Sequence, residues 1–178
     1  MRRIYVIRHC SASGQAMDAP LTPEGRRQAE MLADFLVDSG IDTLVCSPYL
    51  RARQSIEPLS ERTGVPVRID ARLRERVLGD ASLDDWLACL ERTFEDLDLT
   101  FSGGESSRTA MRRAVAAVDE ALASGARRVG VVTHGNLMTL ILRHFDERFG
   151  FAEWAGLSNP DVFAVTVGGD TAVERVWR

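Results

Sequence analysis

Ile4-Tyr5-Val6-Ile7-Arg8-His9, an unbroken apolar run that ends on a basic pair, decides the fold. The run is short, and its residues are β-branched or aromatic, so it reads as a strand buried on both faces. A second run, Val129-Gly130-Val131-Val132-Thr133, has the same character and also ends on a histidine, His134-Gly135. The chain holds 3 histidines, and two of them stand at matching strand ends. A histidine at the carboxyl end of a buried strand, with an arginine beside it, can act as a nucleophile toward an anion.

Between and after these runs, strand and helix patterns alternate. Thr22 is placed as a helix N-cap, with Pro23 at the first helical position and Glu24 in the first turn. Ala29, Leu32, Phe35 and Leu36 then recur at helical spacing as an inner face, and Gly40 ends the helix. Thr43–Cys46 reads as a second buried strand, and Ser47-Pro48 opens a helix with Ala52, Ile56 and Leu59 inward. A third strand is expected over 65–69, interrupted by Pro66. Ser82 is expected to cap a helix with Leu83, Trp86, Leu87, Leu90, Phe94 and Leu97 on one face. Gly103-Gly104-Glu105-Ser106 opens another, with Met111, Val115, Val118 and Leu122 inward, and a short helix through Leu137, Leu140 and Ile141 follows His134. Two closing strands, about 162–167 and 171–176, are joined at Gly168-Gly169-Asp170, a hairpin signal.

The alternation predicts one α/β domain over 1–178, a three-layer α/β/α sandwich whose mainly parallel sheet carries an antiparallel edge. In open α/β sheets ligands bind beyond the carboxyl ends of the strands. That rule gathers His9, the Ser47–Arg51 turn, the segment after Ile69 and His134 around one site.

Bulk properties limit the function. At 178 residues the chain can bury roughly 70% of its unfolded surface. No apolar run approaches the ~18 residues of a membrane span, and the four apolar residues after Met1-Arg2-Arg3 are too few for a signal peptide, so a cytoplasmic location is expected. A net charge of -4 argues against a nucleic-acid surface. All 22 basic residues are arginine, so only placement can single one out. Cys10, Cys46 and Cys89 form neither a C-x-x-C pair nor a metal-ligand spacing and are expected to be free thiols. Cys46 and Cys89 read as small core residues.

Phosphoryl transfer through a protein nucleophile needs an attacking atom, donors for the three non-bridging oxygens, and an acid for the leaving oxygen. A neutral imidazole suits the first role. Arginine suits the second because its planar fork grips phosphate oxygens in pairs. Arg8 and Arg51 are placed for it, Arg51 in the first turn of a helix whose amino end also attracts anions. His134, protonated with phosphate bound, is a third donor. Glu75 in Leu73-Arg74-Glu75-Arg76 is the candidate acid; the same residue among arginines also reads as a surface ion pair. Trp86, Phe94 and Phe101 read as core, and His144 as helix surface.

The motifs closely resemble those of the histidine phosphatase superfamily, which includes cofactor-dependent phosphoglycerate mutases and many small phosphatases. Arg8-His9 matches the family's Arg-His-Gly, Leu21-Thr22-Pro23-Glu24-Gly25 its Leu-Thr-x-x-Gly, and Ser47-Pro48-Tyr49-Leu50-Arg51-Ala52-Arg53-Gln54-Ser55 its Ser-Pro-Leu-x-Arg-Ala-x-Gln-Thr. Leu73-Arg74-Glu75 fits the acid loop, Gly104-Glu105-Ser106 a helix opening, and His134-Gly135 the second His-Gly. The resemblance implies a phosphoglycerate mutase-like fold and a phosphomonoester hydrolase of the histidine acid type acting on a small phosphorylated metabolite. It makes His9 the phosphorylated nucleophile, Arg8, Arg51 and His134 the phosphate pocket, and Glu75 the proton donor and later the base. It implies neither metal nor organic cofactor. Cys10 stands where the family has glycine, which raises the expectation of oxidant sensitivity. Ser11 and Gln15 are the polar counterparts of the family's loop asparagine. A phosphoglycerate mutase, a protein phosphohistidine phosphatase and a non-catalytic phospho-ligand module are the competing expectations. The compact chain and Glu75 favour hydrolysis of small esters.

Overall fold

A computed structural model describes residues 2–81, 83–169 and 171–177. The apolar run at the amino end forms β1 (Arg2–Arg8), which lies inside a six-stranded sheet between β4 (Arg128–Thr133) and β5 (Asp161–Val167). β2 (Thr43–Cys46) and β3 (Val67–Ile69) continue the sheet beyond β4, and β6 (Ala172–Arg175) forms the other edge. Strand order is β3-β2-β4-β1-β5-β6. β1, β2, β3 and β4 run parallel, while β5 and β6 are antiparallel to their neighbours.

Strand side chains alternate between two cores. Ile4, Val6, Val129, Val131 and Phe163 face α4 (Ser107–Ala123) and α5 (Gly135–Phe145), with α3 (Trp86–Glu95) on the same side. Tyr5, Ile7, Leu44, Cys46 and Val132 face α1 (Pro23–Leu36) and α2 (Leu50–Thr63). The result is the three-layer sandwich with an antiparallel edge that the alternation predicts. Among the described residues no helix is long and apolar enough to cross a membrane.

Local chemistry sets the element ends. Thr22 caps α1 by accepting from the Gly25 amide at 2.9 Å, with Pro23 at the first helical position. Gly25 is required for contact: a Cβ there would lie 2.0 Å from the Ser11 carbonyl oxygen. α1 stops at Leu36, and a 3-10 turn over Val37–Ser39 carries the chain to Gly40 at φ 70°.

Several expectations need correction. Phe35 is 44% exposed, so the inner face of α1 is narrower than its periodicity suggests. The third strand starts only after Pro66. Ser82 and Asp170 lie outside the described residues. α3 starts at Trp86, with Asp85 as its cap, accepting from the Ala88 amide. Leu90 and Phe94 of α3 are buried, but Trp86 is 54% exposed and Leu87 is also exposed. Cys46 is buried, whereas Cys89 is only half-buried. A short helix, α6 (Phe151–Ala155), precedes β5 and has no counterpart in the sequence expectations.

Candidate active site

The parallel register sets Arg8 opposite Thr133, so the residues that follow, His9 and His134, leave adjacent strands side by side. Their ring centroids are 5.1 Å apart. His9 Nδ1 lies 2.7 Å from the carbonyl oxygen of Cys10. A carbonyl can only accept, so Nδ1 carries the proton and Nε2 keeps a lone pair. Arg51 Nε, necessarily a donor, sits 3.2 Å from that Nε2. Burial pushes the His9 pKa down to about 4, helped by the charges of Arg51 and Arg8 and opposed by the bond to Cys10. The neutral, nucleophilic tautomer is therefore the resting form.

Three further groups converge on His9. Arg51, almost fully buried, donates from Nη1 to the carbonyls of Gln15 and Ala16, which aims its guanidinium. Arg8 is anchored through Nη1 to the carbonyls of Leu157 and Ser158, both at 3.2 Å. Burial lowers the pKa of both arginines, and Glu75 counters it. His134 pairs through Nε2 with Ser47 Oγ at 2.7 Å. Burial first, and then the charge of His9, Arg51 and Arg8, holds its pKa well below the ordinary value, so it is neutral without a bound anion. Arg8 Nε and His134 Nδ1 are buried and have no partner among the described residues. Unpartnered buried polar atoms are costly, and an anion seated here would satisfy both.

Glu75 faces the same place from the loop after β3. Its Oε1 accepts from the Arg76 and Leu137 amides at 2.8 and 3.0 Å, and its Oε2 from Asn136 at 3.1 Å. The carboxylate thus sits on the amino end of α5, directly beside His134. Burial of the carboxyl raises its pKa, against the pull of the three amides and Arg8. The loop is pinned by Thr133 Oγ1, which donates to the Leu73 carbonyl, and by Arg113 of α4, which donates to the Arg74 carbonyl and pairs with Glu105. The reading of Glu75 as a surface ion pair is therefore set aside.

Other expected residues fare differently. Gln15 lines the cavity beside Arg8 and Glu75 and holds Arg51 through its backbone. Ser11 turns its backbone toward α1 instead: its amide donates to Gln28, its carbonyl accepts from Thr22, and it is not among the cavity's lining residues. Cys10 is fully buried, its amide donates to Ser55 Oγ, and burial pushes its thiol up to about 11. Such a thiol has little thiolate to oxidise, which removes the basis for the expected oxidant sensitivity.

Sequence reasoning missed the residues that hold the site rather than face it. Ser47 fixes His134, and Asn159 donates from Nδ2 to the His9 carbonyl at 2.7 Å. Asp161, fully buried, accepts from the Ser158 amide and pairs with Arg175, bracing the turn that anchors Arg8. Ser47 lay within a quoted motif and could have been found there; Asn159 lies in a loop without periodicity, and Asp161 is the first residue of β5.

The cluster opens into a cavity of about 490 Å³, walled beyond Arg8 and Glu75 by Leu78, Leu90, Trp86 and Trp154. A groove of similar size on the outer side of α2, lined by Arg53, Glu57 and Glu61, has no such cluster behind it.

Comparison with known proteins identifies the family. The chain is 34% identical over 164 residues to a glucosyl-3-phosphoglycerate phosphatase of Mycobacterium tuberculosis, covering 79% of this chain and 73% of that one. It is also 34% identical over 86 residues to a Klebsiella pneumoniae protein named a probable phosphoglycerate mutase, GpmB. That match covers 44% of this chain and only 40% of GpmB. Among solved structures, a mycobacterial glucosyl-3-phosphoglycerate phosphatase complexed with VO3 superposes with a TM-score of 0.80 at 28% identity, over 99% of both chains. Residues 4–178 match the family described as the histidine phosphatase superfamily (branch 1), and the chain belongs to that superfamily.

Proposed function

We propose that this enzyme hydrolyses phosphomonoesters of small metabolites through a phosphohistidine on His9, without a metal. One observation carries the reading: the unprotonated Nε2 of His9, whose lone pair accepts from Arg51 Nε, lies among Arg8, Arg51 and His134, and Arg8 and His134 have buried polar atoms with no partner among the described residues. In the first step Nε2 attacks phosphorus and the bond to the ester oxygen breaks. Arg8, Arg51 and His134 Nδ1–H hold the three non-bridging oxygens. Glu75 gives its proton to the departing oxygen; Oε2 accepts only one amide, which leaves room for that proton. In the second step the Glu75 carboxylate takes a proton from water, the water oxygen attacks phosphorus, and the N–P bond breaks. The products are an alcohol and inorganic phosphate, and His9 returns to its starting form. Gln15 acts here through its backbone hold on Arg51, and Ser11 is left out of the binding set.

The same cluster serves a mutase if the phosphoryl group returns to a bound sugar acid instead of water, a reading favoured by the segment shared with GpmB. A screen of phosphate esters in the presence of a chelator, with His9→Ala as control and 2,3-bisphosphoglycerate as an additive, separates the two. Phosphate release that survives the chelator and is lost in His9→Ala is expected. Isomerisation of phosphoglycerate without phosphate release, or hydrolysis undiminished in His9→Ala, overturns the proposal.

A further inference from the structure

We infer that the substrate is a phosphomonoester whose alcohol portion carries a flat, apolar ring, seated in the corner that Trp86 and Trp154 form. The inference rests on the phosphatase reading above and specifies what leaves with the ester oxygen. Trp86, the first residue of α3, is 54% exposed and presents its bare ring on the wall of the cavity. Its ring stands edge-on to that of Trp154, centroids 5.9 Å apart at 90°. Trp154 is backed in turn by Phe151, stacked on it at 5.4 Å. Two indoles at a right angle form a corner that fits one edge and one face of a third ring.

Leu90, one turn further along α3, and Leu78 extend the same apolar wall. The cavity is continuous with the reactive cluster, since Arg8, Glu75 and Gly135 line its other side. A phosphate on His9 therefore leaves its alcohol portion facing the tryptophans.

The charges argue in the same direction. Among the described residues lining the cavity, the cations are Arg8 and Arg76. Arg8 belongs to the phosphate cluster. Arg76 is buried, and all three of its guanidinium nitrogens are engaged: Nε and Nη2 with the Glu105 carbonyl, Nη1 with Thr93 Oγ1. The wall thus offers no uncommitted cation for the carboxylate of a sugar acid, whereas it offers apolar area to a ring.

The test compares 2-phenylethyl phosphate with glycerol 1-phosphate, two primary alkyl esters whose leaving oxygens are alike. Burying the phenyl group is expected to raise kcat/KM by about tenfold or more over the glycerol ester, mostly through KM. Trp86→Ala and Trp154→Ala should bring the ratio of the two kcat/KM values toward one, and Trp86→Phe should retain most of it. Trp86 is exposed at a helix start, so its replacement leaves the core intact, and circular dichroism checks that each variant is folded. Release of phosphate from both esters at equal efficiency, or a preference that neither tryptophan variant moves, overturns the ring assignment while leaving the phosphatase standing. Failure to release phosphate from either ester overturns the phosphatase reading and the ring assignment with it.

Discussion

At His9 the two ring nitrogens have different commitments, and the pH response of the enzyme follows from that. In the proposed mechanism protonating Nε2 removes the nucleophile, and burial places that event at about 4 instead of 6.5. As pH falls, the kcat/KM profile of the free enzyme, once the substrate's second ionisation at about 6 is divided out, should therefore show no downturn at 6.5 and lose His9 only near 4. A downturn at the ordinary histidine pKa would show that the ring is more exposed to solvent than its hydrogen bonds imply. Glu75 works in the opposite sense. Its raised pKa keeps it protonated above the usual carboxylate range, as a proton donor requires. Glu75→Gln should lower kcat for an alkyl phosphate by about 10²–10⁴, with a much smaller loss for p-nitrophenyl phosphate, whose leaving oxygen needs little protonation. Equal losses on both esters would assign Glu75 to binding.

Among the elements, the anchoring of Arg8 shows how a segment remote in sequence sets the geometry of β1. The Leu157 and Ser158 carbonyls hold the guanidinium, the Ser158 amide is held by Asp161, and Asp161 by Arg175 of β6. Asp161→Ala strands the Ser158 and Val162 amides in a buried place, a cost of about 1–3 kcal/mol in stability. Thermal unfolding should show the loss. Steady-state kinetics should show KM rising more than kcat falls, because the arginine loses its aim and the nucleophile does not. Unchanged KM would disconnect this chain of contacts from the phosphate pocket. The loop carrying Glu75 is built similarly, pinned from α4 by Arg113 and from β4 by Thr133.

For the molecule as a whole, two neutral buried histidines tie folding to pH. Between 6.5 and about 4 the unfolded chain binds a proton at position 9 that the folded chain refuses. Stability from this residue is full above 6.5 and is lost as pH falls toward 4, by up to about 3 kcal/mol at 1.36 kcal/mol per unit. His134 acts in the same direction. Urea titrations from pH 7 to about 4 should show a shallower decline for His9→Asn than for the wild type; parallel curves would refute the coupling. The alternation of strands and helices, the sandwich and the pairing of the two histidines were legible because buried strands must be written as unbroken apolar runs, and both runs end on a histidine; the order of strands in the sheet was not read from the sequence. Helical period predicts which residues share a face but not whether another element covers it, so Phe35 and Trp86 were misjudged. The backbone partners of Glu75 left no trace, because carbonyl and amide contacts are made by the chain whatever its side chains; Asn159 and Asp161 act through single polar side chains in a stretch without periodicity.

The sheet order carries one more consequence. β1 is synthesised before the other strands of the sheet, yet it is flanked on one side by β5, and its arginine is steadied from β6 at the far edge. A nascent polypeptide that has emerged only as far as α5 already contains His9, Arg8, Arg51, Glu75 and His134. It still lacks the turn that grips Arg8 and the amide that supports His9 from behind. Competence to bind an anion should thus arrive abruptly once residues 157–175 have emerged, and not accumulate in proportion to chain length.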